Sequence, residues 1–175
     1  MRLFKASWFF ILFTILLVAI SCSTPKASSA EPEVYQRIYL VRHTEKIDDS
    51  RDPELSIEGK KRANQLEQIL SDKAIVKIYS TDYKRTKQTG MPLADRLDLS
   101  IEVYDPSDLP KFADQLSQQG EGTFLVVGHS NSTPTLVNAI LKVEKYSKLD
   151  HEEYNKLFIV DCDKSKSCTG RVVTF

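Results

Sequence analysis

The stretch IYLVRHTEK, Ile38–Lys46, decides how this sequence is read. Its first four residues are apolar and predict a short buried strand over Arg37–Val41. With no spacer the chain then passes into Arg42, His43, Thr44 and Glu45. Outward from this point, apolar runs alternate with helical periods. Further strands are expected at Ile75–Ser80, Ile101–Tyr104, Thr123–Gly128, Leu157–Cys162 and Arg171–Phe175. A first helix opens on Ser56 as N-cap and gathers Ala63, Leu66, Ile69 and Leu70 on one face. A second runs from Asp82 towards Leu97 with a kink expected at Pro92. A third follows Ser107, with Leu109, Phe112, Ala113 and Leu116 at helical spacing, and stops at Gly120. A fourth takes Thr133 as cap and Pro134 as its first residue, and buries Val137, Ile140 and Leu141. Four strand–helix alternations followed by two strands imply an α/β domain: a mostly parallel central sheet, helices on both faces and a C-terminal hairpin.

The 175 residues are 41% hydrophobic and 27% charged, which suits one ordinary domain with a short appendage. Lys and Arg number 24 against 24 Asp and Glu, so no uniform field attracts a polyanion and nucleic acid is not an expected partner. The appendage is N-terminal. Arg2 and Lys5 precede an uncharged stretch from Ala6 to Ile20, the pattern of a signal peptide over residues 1–21. Its fifteen residues fall short of the roughly 20 that span a bilayer, which disfavours a retained anchor. The AISC ending at Cys22 resembles a bacterial lipobox, with Ala19 in place of the more usual Leu. That resemblance implies a diacylglycerol on the Cys22 sulfur and an exported, membrane-anchored lipoprotein of the cell envelope; the alternative is secretion with a free Cys22. Residues 22–34, rich in Ser, Pro and Ala, read as a tether, and 35–175 as the folded domain. Without Arg2 and Lys5 the chain holds 22 basic and 24 acidic residues, so a polybasic surface would not assist the anchor. Cys162 and Cys168, flanking DKSKS between two strand-like runs, form an even pair in a compartment that permits a disulfide. No further Cys or His lies near them to suggest a metal.

In an open parallel sheet, ligands bind outside the carboxyl ends of the strands. The residues at those ends are reactive types: Arg42, His43, Thr44 and Glu45 after the first strand; Ser80, Thr81 and then Arg85 after the second; Asp105 after the third; His129, Ser130 and Asn131 after the fourth. Two of the three histidines thus stand at strand exits. The third, His151, lies in the charged run DHEEY and reads as solvated.

IYLVRHTEK resembles the RHG-type signature of the histidine phosphatase superfamily, the phosphoglycerate mutase-like fold. Three more segments agree in order. LSIEGKKRA, Leu55–Ala63, is similar to the family's first-helix motif; YSTDYKRTKQTGMPLA, Tyr79–Ala94, to its SS-x-x-x-R-x-x-QTA segment; and LVVGHSNS, Leu125–Ser132, to its second-histidine loop. The resemblance implies a three-layer sandwich and a metal-independent, cofactor-free phosphatase acting through a phosphohistidine. His43 would be the nucleophile, Arg42 and Arg85 the phosphate clamps, and His129 the stabiliser of transferring charge. The chemistry of the residues agrees. Neutral imidazole is a competent nucleophile, and a covalent intermediate splits one difficult displacement into two. Planar guanidinium groups offer paired donors to phosphate oxygens, and phosphoryl transfer asks mainly for positioning and charge stabilisation.

Thr44 departs from the common Gly after the nucleophile, and Asn131 stands where one branch of the superfamily places an acid. A proton donor is expected at Asp105, directly after the third strand, with Glu102 as the alternative. Glu45 and Lys46 are read as supporting residues, and Ser80 and Thr81 as braces of the Arg85 loop. Amides at the start of the fourth helix would face the anion. The expected substrate is a phosphorylated small molecule or a phosphoprotein. A mutase-type phosphotransferase and a non-catalytic phosphoryl-binding domain are the rival readings. A metal site of His43, Glu45 and His129 is disfavoured by the flanking arginines, which repel a cation.

Overall fold

The computed structural model describes residues 33–175, so the expected signal peptide, Cys22 and the expected tether up to residue 32 lie outside the described residues. The elements are β1 (Gln36–Arg42), α1 (Ile57–Leu70), β2 (Ile75–Ser80), α2 (Lys84–Leu97), β3 (Ile101–Val103), α3 (Leu109–Ser117), β4 (Gly122–Gly128), α4 (Ser132–Leu141), β5 (Lys156–Cys162) and β6 (Cys168–Thr174). They build one six-stranded sheet in the order β3-β2-β4-β1-β5-β6. The first four of that order are parallel, whereas β5 and β6 return antiparallel as a hairpin. The sheet is therefore mixed, with its parallel part as expected.

The period of two in each central strand divides the core into two layers. On one face Ile38, Leu40, Phe124, Val126, Phe158 and Val160 pack against α3 and α4. On the other, Tyr39, Val41, Leu125, Val127, Leu157 and Ile159 pack against α1 and α2. Because β1 and β4 are covered on both faces, their sequences read as unbroken apolar runs rather than as alternation.

Local signals place most helix starts. Ser56 caps α1, its Oγ accepting from Gly59 N–H. Asp108 caps α3, its side chain accepting from Lys111 N–H. The fourth helix corrects the expectation more usefully. It begins at Ser132, before Thr133 and Pro134, and the hydroxyl expected as its cap, that of Thr133, is committed elsewhere. Ser132 Oγ accepts from His129 N–H, and Thr133 Oγ1 donates to Val41 O on β1. α2 runs unbroken through Pro92.

Cys162 and Cys168 are directly opposite across β5 and β6 and are joined by a disulfide. Cys162 is buried in the α3/α4 layer, while β6 is the sheet's exposed edge. The bond closes a loop with a sequence separation of 6. Such a short loop removes little unfolded-chain entropy, so replacing both cysteines by serine should lower the unfolding free energy by about 2 kcal/mol. Denaturant titration of the oxidised and reduced protein checks this, and coincident midpoints would show that the bridge contributes nothing.

Candidate active site

The parallel pairing of β1 with β4 puts Arg42 opposite Gly128, so the next residue of each strand is a histidine at the same level of the sheet. His43 N–H donates to Gly128 O, continuing the ladder one step past the strand. The two rings meet edge to face with centroids 5.5 Å apart. The chain needs glycine at 128, since a Cβ there would lie 2.8 Å from Thr133 Oγ1 and 2.9 Å from the Tyr104 hydroxyl.

His43 is 4% exposed. Its Nδ1 lies 2.8 Å from the carbonyl oxygen of Thr44. A carbonyl only accepts, so Nδ1 carries the proton and the unshared pair belongs to Nε2. Burial, assisted by the charges of Arg42 and Arg85, pushes the His43 pKa down to about 3. The same influences, burial first, lower His129 to about 4. Both rings are neutral at neutral pH, and His43 presents a defined nucleophilic atom.

Thr44 is fully buried and locks this loop in place. Its N–H donates to Thr89 Oγ1, its hydroxyl donates to Gly59 O, and Thr89 in turn donates to the carbonyl of Arg85. A chain of three short contacts thus ties the loop after His43 to α1 and to the start of α2. Gly59 is required for that approach: a Cβ there would stand 2.1 Å from the backbone oxygen of Glu45.

The arginines are held differently. Arg42 Nη1 donates to the carbonyls of Asp150 and His151, each at 2.9 Å, and its guanidinium stacks over Tyr154 at 4.0 Å. Its Nε is buried with no hydrogen-bond partner. Arg85 lies over the Tyr83 ring at 4.3 Å and reaches the Arg51 carbonyl at 3.4 Å and Asp52 at 3.9 Å. An orphaned buried donor is costly unless an acceptor arrives, so the surroundings of Arg42 Nε fit an anion.

Four of the sequence-selected residues, Arg42, His43, Arg85 and His129, are therefore gathered at one edge. Asp105 is not. Its carboxylate is exposed and accepts from Ser107 N–H at 2.8 Å, in a turn that opens onto a groove between β3 and α3. None of the four pocket residues lines that groove. The Ser107 bonds hold its pKa below the usual range, the wrong direction for an acid that must hold its proton at neutral pH. Glu102 pairs with Lys77 at 3.6 Å in the same groove. Glu45 faces Arg62, with nitrogen–oxygen contacts from 2.7 Å, and not the histidines. Among the described residues, no three His, Cys, Asp or Glu side chains are placed to hold a metal ion.

Ser80 hydrogen-bonds to backbone, but Thr81 reaches further and meets His129 Nε2 at 2.9 Å. Sequence reasoning passed over Tyr83, Thr89 and Tyr154. Thr89 lay inside the quoted QTG segment, whereas Tyr154 sits in a charged run that offers no signal.

Residues 38–106, which include Arg42, His43 and Arg85, match the model of the histidine phosphatase superfamily (branch 1). No curated protein matches the sequence. Among solved structures, the protein histidine phosphatase SixA complexed with tungstate superposes with a TM-score of 0.62 at 18% identity, covering 79% of this chain and 96% of that one. A mycobacterial glucosyl-3-phosphoglycerate phosphatase gives 0.61 at 14% identity over 79% of this chain and 97% of its own. A phosphoglycerate mutase from Plasmodium falciparum gives 0.56 at 22% identity over 78% and 88%. These superpositions show a shared fold.

The depressed histidine pKa values set a pH dependence of stability. Unfolded histidine protonates near pH 6.5, and the folded rings only at about 3 and about 4. Between those limits the unfolded chain binds more protons, so stability is full above pH 6.5 and is lost as pH falls towards 4. Thermal melts across that window should show the decline, and His129→Gln should flatten it. An unchanged slope in the variant would contradict a buried neutral ring at 129.

Proposed function

We propose that this chain, which has the histidine phosphatase, phosphoglycerate mutase-like fold, is a metal-independent phosphatase of phosphate monoesters or phosphorylated protein side chains. The observation that carries the reading is the state of His43: Nδ1–H is committed to the Thr44 carbonyl, leaving a neutral ring with Nε2 unshared beside the orphaned donor of Arg42. A phosphoryl group entering here meets two guanidinium groups that spread charge over its oxygens. Attack by Nε2 forms a phosphohistidine and expels the alcohol; water then attacks phosphorus and restores the ring. Positive charge comes from Arg42 and Arg85, so the chemistry is complete without a metal cofactor. Tungstate, bound in the SixA structure, is a phosphate-like oxyanion and a natural inhibitor to try.

His43→Ala should reduce turnover more than roughly a thousandfold while circular dichroism and melting remain those of a folded domain. Wild-type protein quenched at alkaline pH should retain label that is stable to base and labile to acid, as a phosphoramidate is. Arg85→Lys should also fail, because one ammonium cannot replace a planar fork. Near-normal hydrolysis by His43→Ala, or label on His129, would reject the mechanism. Adding a phosphorylated acceptor separates hydrolysis from a mutase reaction: a phosphatase releases inorganic phosphate regardless of the acceptor.

The domain is further proposed to work outside the cytoplasm, tethered to a membrane through acylated Cys22, on the strength of the basic leader, the short apolar stretch and the small residues before the sulfur. Cys22→Ser should shift the protein from membrane to soluble fractions of the expressing bacterium. A variant that stays membrane-bound with its leader uncut would favour a retained signal anchor instead.

A further inference from the structure

Thr86 has one hydroxyl proton, and two backbone carbonyls stand ready for it, Thr81 O at 3.0 Å and Tyr83 O at 2.9 Å. Its oxygen is left as an acceptor, and Thr81 Oγ1, 3.0 Å away, donates to it. A hydroxyl donates once, so Thr81 Oγ1 must accept from its other neighbour, His129 Nε2 at 2.9 Å. The ring therefore carries its proton on Nε2, and in the neutral form Nδ1 is bare. Thr81 and Thr86 are both fully buried, so water does not offer an alternative partner to either hydroxyl. Nδ1 has no partner among the described residues and is not one of the buried unpaired atoms, which leaves it open to a ligand.

The groups facing this ring are the guanidinium groups of Arg42 and Arg85, the neutral His43 ring at 5.5 Å and the edge-on Tyr83 ring at 5.1 Å. No carboxylate acts on it. Burial first, and the two cations with it, favour a neutral ring while the pocket is empty; a dianion seated against Nδ1 offsets the cations and by its own charge holds a proton there. A bare Nδ1 would repel a dianion, whereas Nδ1–H would donate to it.

We propose that Thr81, held by Thr86, is a positioning residue that fixes His129 in the Nε2–H tautomer, so that His129 takes up one proton at Nδ1 when a phosphate dianion enters and carries it through the reaction. This rests on the phosphatase reading for its catalytic half only. In the first step the Nε2 pair of His43 forms the P–N bond, the P–O bond to the leaving group breaks, and the leaving oxygen receives the Nδ1 proton of His129. In the second, water oxygen attacks phosphorus, the P–N pair returns to His43, and the water proton goes back to Nδ1. Monoester and water become alcohol and phosphate, and the enzyme is unchanged. His129 thus performs the proton transfer for which the sequence offered Asp105.

The test uses the intact protein with inorganic phosphate as probe, at alkaline pH where phosphate is a dianion. Calorimetry in buffers of different ionisation enthalpy should give uptake of about one proton per phosphate bound, and long-range nitrogen–proton NMR of the empty site should place the His129 proton on Nε2. Thr81→Val, which keeps the shape but removes the acceptor, should admit the Nδ1–H tautomer, lower proton uptake and reduce kcat by at least about tenfold with a smaller change in KM. Thr81→Ser should restore all three. A wild-type ring protonated on Nδ1, no proton uptake, or an unchanged tautomer in folded Thr81→Val would overturn the proposal. If Thr81→Val does not fold, the wild-type tautomer and proton count decide alone. Neither needs turnover, so a failed phosphatase assay would not be mistaken for failure of this inference.

Discussion

The register of β1 against β4 is the constraint on which the rest of the site depends. Parallel neighbours lie roughly 4.8 Å apart, and with Arg42 level with Gly128 the two residues that leave the sheet together are His43 and His129. A slip of one residue would turn the slipped strand inside out, exchanging its α1/α2-facing residues for its α3/α4-facing ones. The hydrophobic pattern that fills the two layers is therefore also what brings the histidines together. Further adjustment is local: Gly128 allows the start of α4 to close on the strand end, and Gly59 allows α1 to close on the loop after His43.

Electrostatics in this pocket are set against the empty state. Burial and two arginines each disfavour protonated histidine, and they act in the same direction on both rings. The cost is borne by folding stability at mildly acidic pH, and the benefit is a nucleophile that remains unprotonated. Arg42 Nε, buried without an acceptor, adds a second unfavourable feature of the same sign. An oxyanion relieves both at once, which is why the arrangement suits anion capture better than a structural histidine pair.

The fold was legible because β1, β2 and β4 are apolar and β-branched enough to announce buried strands, and because α1 and α3 repeat their apolar residues at helical spacing. What failed was the placement of shared hydroxyls. Thr133 looks like a cap in sequence, but its proton goes to Val41 O, a partner 92 residues away that no local pattern encodes. Asp105 is placed by a local bond that the strand pattern does not encode: following a strand fixes a residue's level in the sheet but not its direction, and this exposed carboxylate accepts from the Ser107 amide beside a groove that none of the four residues lines. The gathering of Arg42, His43, Arg85 and His129 was readable from motif order; of their individual supports, Thr81, Tyr83 and Thr89 lie within the quoted Tyr79–Ala94 segment and Tyr154 in a distant one, and which side chain each supports emerges only with the packing. Thr44 shows the limit from the other side. As a substitution for glycine it looked like a departure, yet its N–H and hydroxyl make the contacts that join three elements around the nucleophile.

The two arginines proposed as clamps are held unequally, which would give them different work. Arg42 is 5% exposed and gripped by backbone carbonyls of the segment before β5, so its position is set before any ligand arrives. Arg85 instead faces Asp52, whose carboxylate also accepts from Lys84 N–H at the start of α2. At 3.9 Å the Arg85–Asp52 contact is loose and partly solvated, and such pairs contribute little. A phosphate dianion offers Arg85 more charge and better geometry than this single carboxylate does. On the proposed phosphatase reading, binding at Arg42 would fill a preformed orphan site, whereas binding at Arg85 would exchange one weak acceptor for a stronger one. Because Asp52 stays anchored to the α2 terminus through Lys84, that exchange can reorient the guanidinium while the helix remains capped, and Thr89 keeps the Arg85 backbone tied to the loop of His43 throughout.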